Sequence, residues 1–246
     1  MPNLYFGSSK VCPVVVKADQ AIPTYQISNG TISRKTYALT GDEFKGVTNV
    51  GNHGLYYKFY YCNNITGPVV FPDLTTISED NSFHFAFYYC SGITSASFPS
   101  LTTISAYYGF CASFNGCSSL TSVNFSALKS ITGYYACGSM FNAAYNLSSV
   151  TFPVLDTLTG NQALNYAFSW YNNGGTSKTV TISFPALKST SFGSYTNQFD
   201  NMLTGTTGGT VHFPSNLQSV IGSWTSVQNG FGGTNTTILW DLPATT

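Results

Sequence analysis

The sequence predicts a mainly β repeat solenoid built from coils of about 27 residues, with a small β cap at its N-terminal end. Two observations carry this. Phe71, Phe98, Phe125 and Phe152 stand 27 residues apart, and Phe184 and Phe213 continue the series at spacings of 32 and 29. Their neighbours keep step. Val69, Ala96, Val123, Val150, Ile182 and Val211 precede each Phe by two positions, and Leu74, Leu101, Leu128, Leu155 and Leu187 follow the first five by three. Ile77, Ile104, Ile131 and Leu158 follow the first four by six. One such unit cannot bury its apolar side chains alone, and stacking neighbours closes a common core.

Residues 1–48 lie outside the repeat and read as an N-terminal β cap or attachment element. Asn29-Gly30 between alternating segments is a hairpin signal. The run Val11 to Val16 reads as a strand, and Pro13 places it near an edge. Residues 49–225 hold about six units. In the unit Leu120 to Phe125, period two puts Val123 and Phe125 on one face. A Pro follows Phe71, Phe98, Phe152, Phe184 and Phe213 and ends strand pairing because it lacks an N–H; Ser126 is the exception. Leu128 and Ile131 then turn inward. An aromatic, Gly-rich arc completes the unit, and Tyr60, Phe87, Phe114 and Phe141 mark a second column at 27-residue spacing. The segments Asn172 to Lys178 and Thr204 to Gly209 lengthen the last units as loops. Residues 226–246 form a C-terminal cap, with Thr237 to Leu242 as a closing strand.

Composition narrows the function. Only 7% of the 246 residues are charged and the formal net charge is zero. Nucleic acid is therefore not an expected partner, because phosphate binding needs a Lys/Arg surplus on one face. Near-zero charge favours association with sister subunits or a larger particle. With 43% hydrophobic and 16% aromatic residues there is ample core. No run of 18 apolar residues occurs, so no membrane insertion is expected. The N-terminus shows no secretory signal pattern. That leaves a trimmed chain, an intracellular one, or one exported by another route such as a virus particle. Of six cysteines, Cys90 and Cys117 share a repeat position and read as a ladder of buried thiols. Neither a metal site nor a cofactor site is expected: no CxxC pair, Cys/His cluster or phosphate loop is written in the chain.

Catalysis is not expected either. His53, His84 and His212 occupy unrelated repeat positions, and the adjacent acids Asp42-Glu43 and Glu79-Asp80 point to opposite faces of an extended segment. A glycosidase needs two carboxyls facing each other across a substrate. Binding is the expected activity. Tyr107-Tyr108 and Tyr134-Tyr135 are 27 apart and stack into a stripe, which Tyr56-Tyr57 and Trp170-Tyr171 extend. Aromatic side chains with polar tips are common on recognition surfaces.

The segment Phe114-Asn-Gly-Cys-Ser-Ser-Leu-Thr-Ser-Val-Asn-Phe125, with Leu128 and Ile131 after it, resembles the BspA-like branch of leucine-rich repeats. Phe87-Tyr-Tyr-Cys-Ser-Gly-Ile-Thr-Ser-Ala-Ser-Phe98 matches almost as well. The resemblance covers roughly residues 55–225. It implies a leucine-rich-repeat solenoid with a parallel sheet, short helical or irregular convex arcs, and a role in adhesion and recognition at bacterial surfaces. The opening Asn3 to Pro13 is similar to openings of repeat proteins encoded near phage or prophage tail genes. Together these imply a non-catalytic protein on a virion or bacterial surface, outside the cell, that binds a cell-surface glycan or protein. The alternative is a structural scaffold subunit of such an assembly.

Overall fold

A computed structural model describes residues 36–170 and 179–245 in full and, ahead of them, the backbone of four short strands. These are β1 (Tyr5–Phe6), β2 (Ser9–Lys10), β3 (Tyr25–Ser28) and β4 (Thr31–Arg34). β3 and β4 pair antiparallel with Ser28 opposite Thr31, the hairpin that Asn29-Gly30 predicts. The expected strand at Val11 to Val16 lies outside the described residues. The rest is a solenoid of parallel strands, about seven turns of roughly 27 residues.

Each turn has three walls. The first holds β5 (Tyr37–Ala38), β6 (Ile65–Val70), β8 (Gly92–Ser97), β10 (Ser122–Asn124), β12 (Ser149–Thr151), β14 (Thr179–Ser183), β15 (Gly208–Pro214) and β16 (Thr237–Leu242). The second holds the two-residue strands β7 (Thr76–Ile77), β9 (Thr103–Ile104), β11 (Ser130–Ile131) and β13 (Thr157–Leu158), paired in that order. The third is a chain of turns. Among the described residues α-helix is confined to α1 (Gln218–Ile221) and α2 (Thr225–Gln228) near the C-terminal end.

The repeated Phe sets the register. Its amide donates forward to the next coil: Phe71 to Ser97 O at 2.9 Å, Phe98 to Asn124 O at 2.9 Å, Phe152 to Ser183 O at 2.9 Å and Phe184 to His212 O at 3.1 Å. The following Pro then stops the ladder. The rings stack nearly parallel. Centroid separations are 5.4 Å for Phe71–Phe98, 5.6 Å for Phe98–Phe125, 5.8 Å for Phe125–Phe152, 5.3 Å for Phe152–Phe184 and 5.4 Å for Phe184–Phe213. The column reaches past the Phe series at both ends. Phe44 stacks on Phe71 at 4.2 Å, and Trp240 on Phe213 at 5.4 Å. Parallel pairing likewise begins at Tyr37, ahead of the start expected near residue 49. At the other end Thr237–Leu242 is a further rung of the ladder, with its register shifted once between His212 and Pro214. The aliphatic columns at Leu74 to Leu187 and Ile77 to Leu158 are buried throughout.

The second aromatic column differs by one residue from the sequence reading. Phe59, not Tyr60, lies under Phe87, with centroids at 4.9 Å and planes 5° apart. Phe87, Phe114, Phe141 and Phe168 continue it. One coil carries an extra residue, so Phe59 to Phe87 and Cys62 to Cys90 span 28 positions. The register shifts at Gly67/Pro68, where Gly67 takes φ +92°. Cys90 and Cys117 are free and buried, and their thiols donate to Phe59 O and Phe87 O at 2.8 and 3.1 Å. Burial pushes the Cys90 thiol up to about 12, so this column stays protonated. Cys62, by contrast, is disulfide-bonded.

In the third wall backbone amides alternate. Tyr57, Phe59 and Tyr61 donate forward to His84 O, Ala86 O and Tyr88 O at 3.3, 2.9 and 2.7 Å. Lys58, Tyr60 and Cys62 donate back three residues, to Leu55 O, Tyr57 O and Phe59 O, at 3.0, 3.4 and 3.0 Å. Every fourth residue turns left-handed: His53, Tyr57 and Tyr61 in one coil, Asn81, Phe85 and Tyr89 in the next, all with φ between 55° and 58°. Each such non-glycine residue costs about 1–2 kcal/mol. The cost is offset because every second amide reaches the neighbouring coil and the others close turns.

Removing one ring from the first column should be expensive. Phe125→Ala is expected to lower unfolding free energy by about 3–5 kcal/mol in denaturant titration. Tyr145→Ala, at an exposed position, should cost far less.

Candidate functional site: an aromatic ridge

The turns of the third wall send side chains inward and outward in adjacent pairs, Ser82-Phe83 and Ala86-Phe87 inward, His84-Phe85 and Tyr88-Tyr89 outward, and in this chain many of the outward ones are Tyr. Tyr107 is 47% exposed, Tyr61 39%, Tyr89 38% and Tyr56 37%. Tyr57, Tyr108, Tyr134 and Tyr135 are half-buried. The predicted stacking across 27 residues is present. Tyr107 lies on Tyr134 at 4.7 Å, 22° from parallel, and Tyr108 meets Tyr135 at 5.4 Å. Tyr135 Oη donates to Asn165 Oδ1 at 2.9 Å, and Tyr134 Oη to Gln162 Oε1 at 3.4 Å.

Tyr56 and Tyr57 join this stripe through two residues that the sequence reading missed. Tyr57 stacks on Phe85 at 4.8 Å, Phe85 on His84 at 4.1 Å, and His84 on Tyr108 at 5.3 Å. A second flank was also missed. Tyr60 stacks on Tyr88 at 4.9 Å and Tyr61 on Tyr89 at 5.0 Å. The signal was available, since both pairs are 28 apart, the spacing of the coil with the extra residue. Trp170 does not extend the ridge. It is 7% exposed and packs edge-on against Tyr145 at 4.3 Å. Tyr171 lies outside the described residues.

Ring orientation decides what the ridge offers. Rings stacked face to face along the solenoid axis cover one another's faces. What they present to solvent is ring edges, which carry partial positive charge, and phenolic hydroxyls. Burial first and neighbouring phenols second push Tyr88 and Tyr108 up to about 12, and the same causes raise Tyr57 and Tyr60; burial and then Cys111, ahead of the phenols, raise Tyr135. The ridge is thus a neutral array of hydrogen-bonding tips on an apolar base.

The histidines come closer together than their repeat positions suggest. His53 and His84 flank Tyr56, at 5.1 and 5.5 Å. His84 Nδ1 sits 2.9 Å from Asn81 Oδ1, which accepts its proton. Burial, and then His53, lower the His84 pKa to about 4. His212 is elsewhere, on the first wall, with Nδ1 at 2.9 Å from Asp241 Oδ1. The acids have structural partners. Glu43 accepts from the Thr40 and Gly41 amides at 2.8 and 2.9 Å, and Asp80 from the Tyr107 amide at 2.8 Å. Among the described residues no group of three or more His, Cys, Asp or Glu is placed to hold a metal ion. None of the helices described is long and apolar enough to cross a membrane.

No protein-family model matches the chain, and neither a curated protein nor a solved structure matches it.

His84 gives the ridge a pH dependence of defined sign. Its pKa falls from 6.5 unfolded to about 4 folded. The unfolded chain therefore binds the proton first, and stability from this group is present above pH 6.5 and lost as pH falls toward 4. Thermal melts between pH 7 and 4 should show this loss, and His84→Phe, which keeps a stacked ring, should flatten it.

Proposed function

We propose that the protein is a non-catalytic recognition protein of the BspA-like leucine-rich-repeat kind, which binds a cell-surface glycan or protein through the aromatic ridge. The observation that carries the reading is the continuity of the ridge. The exposed Tyr89, Tyr61, Tyr56 and Tyr107 are joined on one wall by a chain of ring contacts that runs Tyr89–Tyr61–Tyr60–Tyr57–Tyr56–His84–Tyr108–Tyr107. A monomeric protein exposes such contiguous aromatic surface where something docks. The neutral hydroxyl tips suit a partner rich in carbonyl or hydroxyl oxygens, and the shortage of charge argues against steering by opposite charge. The setting we propose, from the resemblance of the repeats and of the opening segment, is the surface of a bacterium or a virion.

A second reading has its own support. The final rung, β16, leaves Ile238 and Trp240 partly exposed, whereas Val211 and Phe213 in the rung before are fully buried. Among the described residues no strand pairs with the outer edge of β16, and an open edge over a half-covered core suits a scaffold subunit that meets sister copies.

One experiment separates the two. Replacing Tyr107 and Tyr134 by Ala should weaken binding to bacterial cells or extracted surface glycans by about tenfold or more, roughly one strong anchor pair, while the far-UV spectrum is unchanged. Full binding by the folded double variant would reject the ridge. Particle-size measurements showing self-association that Trp240→Lys abolishes would favour the scaffold.

A further inference from the structure

The first wall is not continuous. Its strands form two ladders, β5–β6–β8–β10 and β12–β14–β15–β16, and β10 and β12 adjoin without pairing. The other walls run straight through the same step. β11 pairs with β13 at Ser130–Thr157 and Ile131–Leu158, and the Tyr135 and Cys137 amides donate to Asn161 O and Ala163 O at 3.0 and 2.9 Å. In the column Phe71, Phe98, Phe125, Phe152, Phe184, only the Phe125 amide lacks its forward partner. Backbone groups alternate along a strand. Because Phe152 donates to the β14 side, the Thr151 carbonyl is turned toward β10.

The cause lies in the local sequence. Where the other units have Phe-Pro, this one has Phe125-Ser126. Asn124 Oδ1 accepts from the Ser126 amide at 3.0 Å, and Asn124 Nδ2 reaches back to Ser97 Oγ at 3.3 Å. The side chain thus ties β10 to the preceding coil and offers nothing to the next. Solvent reaches the core position here: Val123 is partly exposed, whereas Val69, Ala96, Val150, Ile182 and Val211 are buried. The opening is a slot of about 310 Å³. Ser122, Ser149 and Thr151 line it, and Val123, Val150 and Pro153 form an apolar strip.

We propose that this slot is a subsite for one neutral sugar residue, separate from the ridge. The lining asks for adjacent donors and acceptors and includes no charged side chain, so a vicinal diol fits and a carboxylate or phosphate does not. One hydroxyl accepts from the Phe125 amide, its neighbour donates to the Thr151 carbonyl, and the C–H face rests on the apolar strip. The volume is at the small end of ligand sites, about 300–1,000 Å³. The sugar lies over the slot on its solvent side and reaches both edges with its hydroxyls, beside the exposed Ser122, Ser149 and Thr151. A peptide strand cannot insert between the edges, because that would part them by about another 4.8 Å, yet Phe125 and Phe152 remain stacked at 5.8 Å.

The test is amide chemical-shift titration with glucose, galactose and N-acetylglucosamine into the millimolar range, with glycerol as the acyclic polyol. At least one sugar should move the Phe125, Ser126, Ser149 and Thr151 amides. Ser149→Leu, which fills the slot from an exposed position, should weaken the response by about tenfold, whereas Thr181→Leu on the neighbouring rung should not. Amide spectra of both variants report whether they fold. The proposal is overturned if no sugar shifts these amides, if glycerol matches the sugars, or if Ser149→Leu leaves the response intact. Shifts confined to ridge residues would also overturn it, and would leave the ridge reading standing.

Discussion

Ring-on-ring registry between successive coils is the constraint on which the molecule depends. Phe71 to Phe213 stack with planes within about 11° of parallel, and each ring is buried at 2% exposure or less. A coil displaced by one residue along the chain would send the Phe outward, because side chains alternate across a strand. Aliphatic columns on either side of the rings share that register, so one slip would expose several buried side chains together. The spacing is kept where the core is, and length varies where it is not. The extra residue before Phe87 is absorbed at Gly67/Pro68, and the longer coils after Phe152 still deliver Phe184 and Phe213 to the same column.

The ridge follows from the same stacking. A wall made of two-residue steps must turn outward as often as inward, and left-handed residues such as Tyr57, Phe85, Tyr108 and Tyr135 are what let it do so. Strain of this kind persists only where surrounding structure holds it. Here the holding contacts are amides reaching the next coil and rings lying on equivalent rings. The outward Tyr residues therefore serve stability through their faces and offer their edges and hydroxyls for recognition. This division explains why half-buried and exposed phenols sit side by side on one surface.

Much of the fold could be read from the sequence because burial repeats. The Phe, Leu and Ile columns are periodic in one dimension, and periodicity survives without coordinates. The pairs Tyr107/Tyr134 and Tyr108/Tyr135 could be read for the same reason. What escaped was displaced by an insertion or depended on three dimensions. A strict 27-residue count passes over the added residue and puts Tyr60 in the second aromatic column; the structure seats Phe59 there and turns Tyr60 to the ridge, on Tyr88. Phe44 and Trp240 extend the column at the same period, Phe44 with Val47 and Val50 standing 27 residues ahead of Phe71, Leu74 and Ile77, and Trp240 with Ile238 standing 27 after Phe213 and Val211; a count begun at Phe71 and ended at Phe213 stops one unit short of each. His84 links the two halves of the ridge by stacking on Tyr108, a contact between non-equivalent positions that no period reveals. Trp170 followed a Tyr pattern in sequence and was drawn instead into contact with Tyr145. The gap between β10 and β12 left only a faint trace, the single Phe-Ser among the Phe-Pro junctions.

Deleting one period tests the registry most directly. A chain lacking residues 99–125 removes a whole coil and lets Phe98 stack on Phe152; a chain lacking 99–112 removes about half of one. The whole-coil deletion should keep a cooperative unfolding transition and the parent's near-ultraviolet aromatic signal, while the half-coil deletion should lose both. If the two deletions behave alike, whether both fold or both collapse, stacking in register is not what holds this chain together.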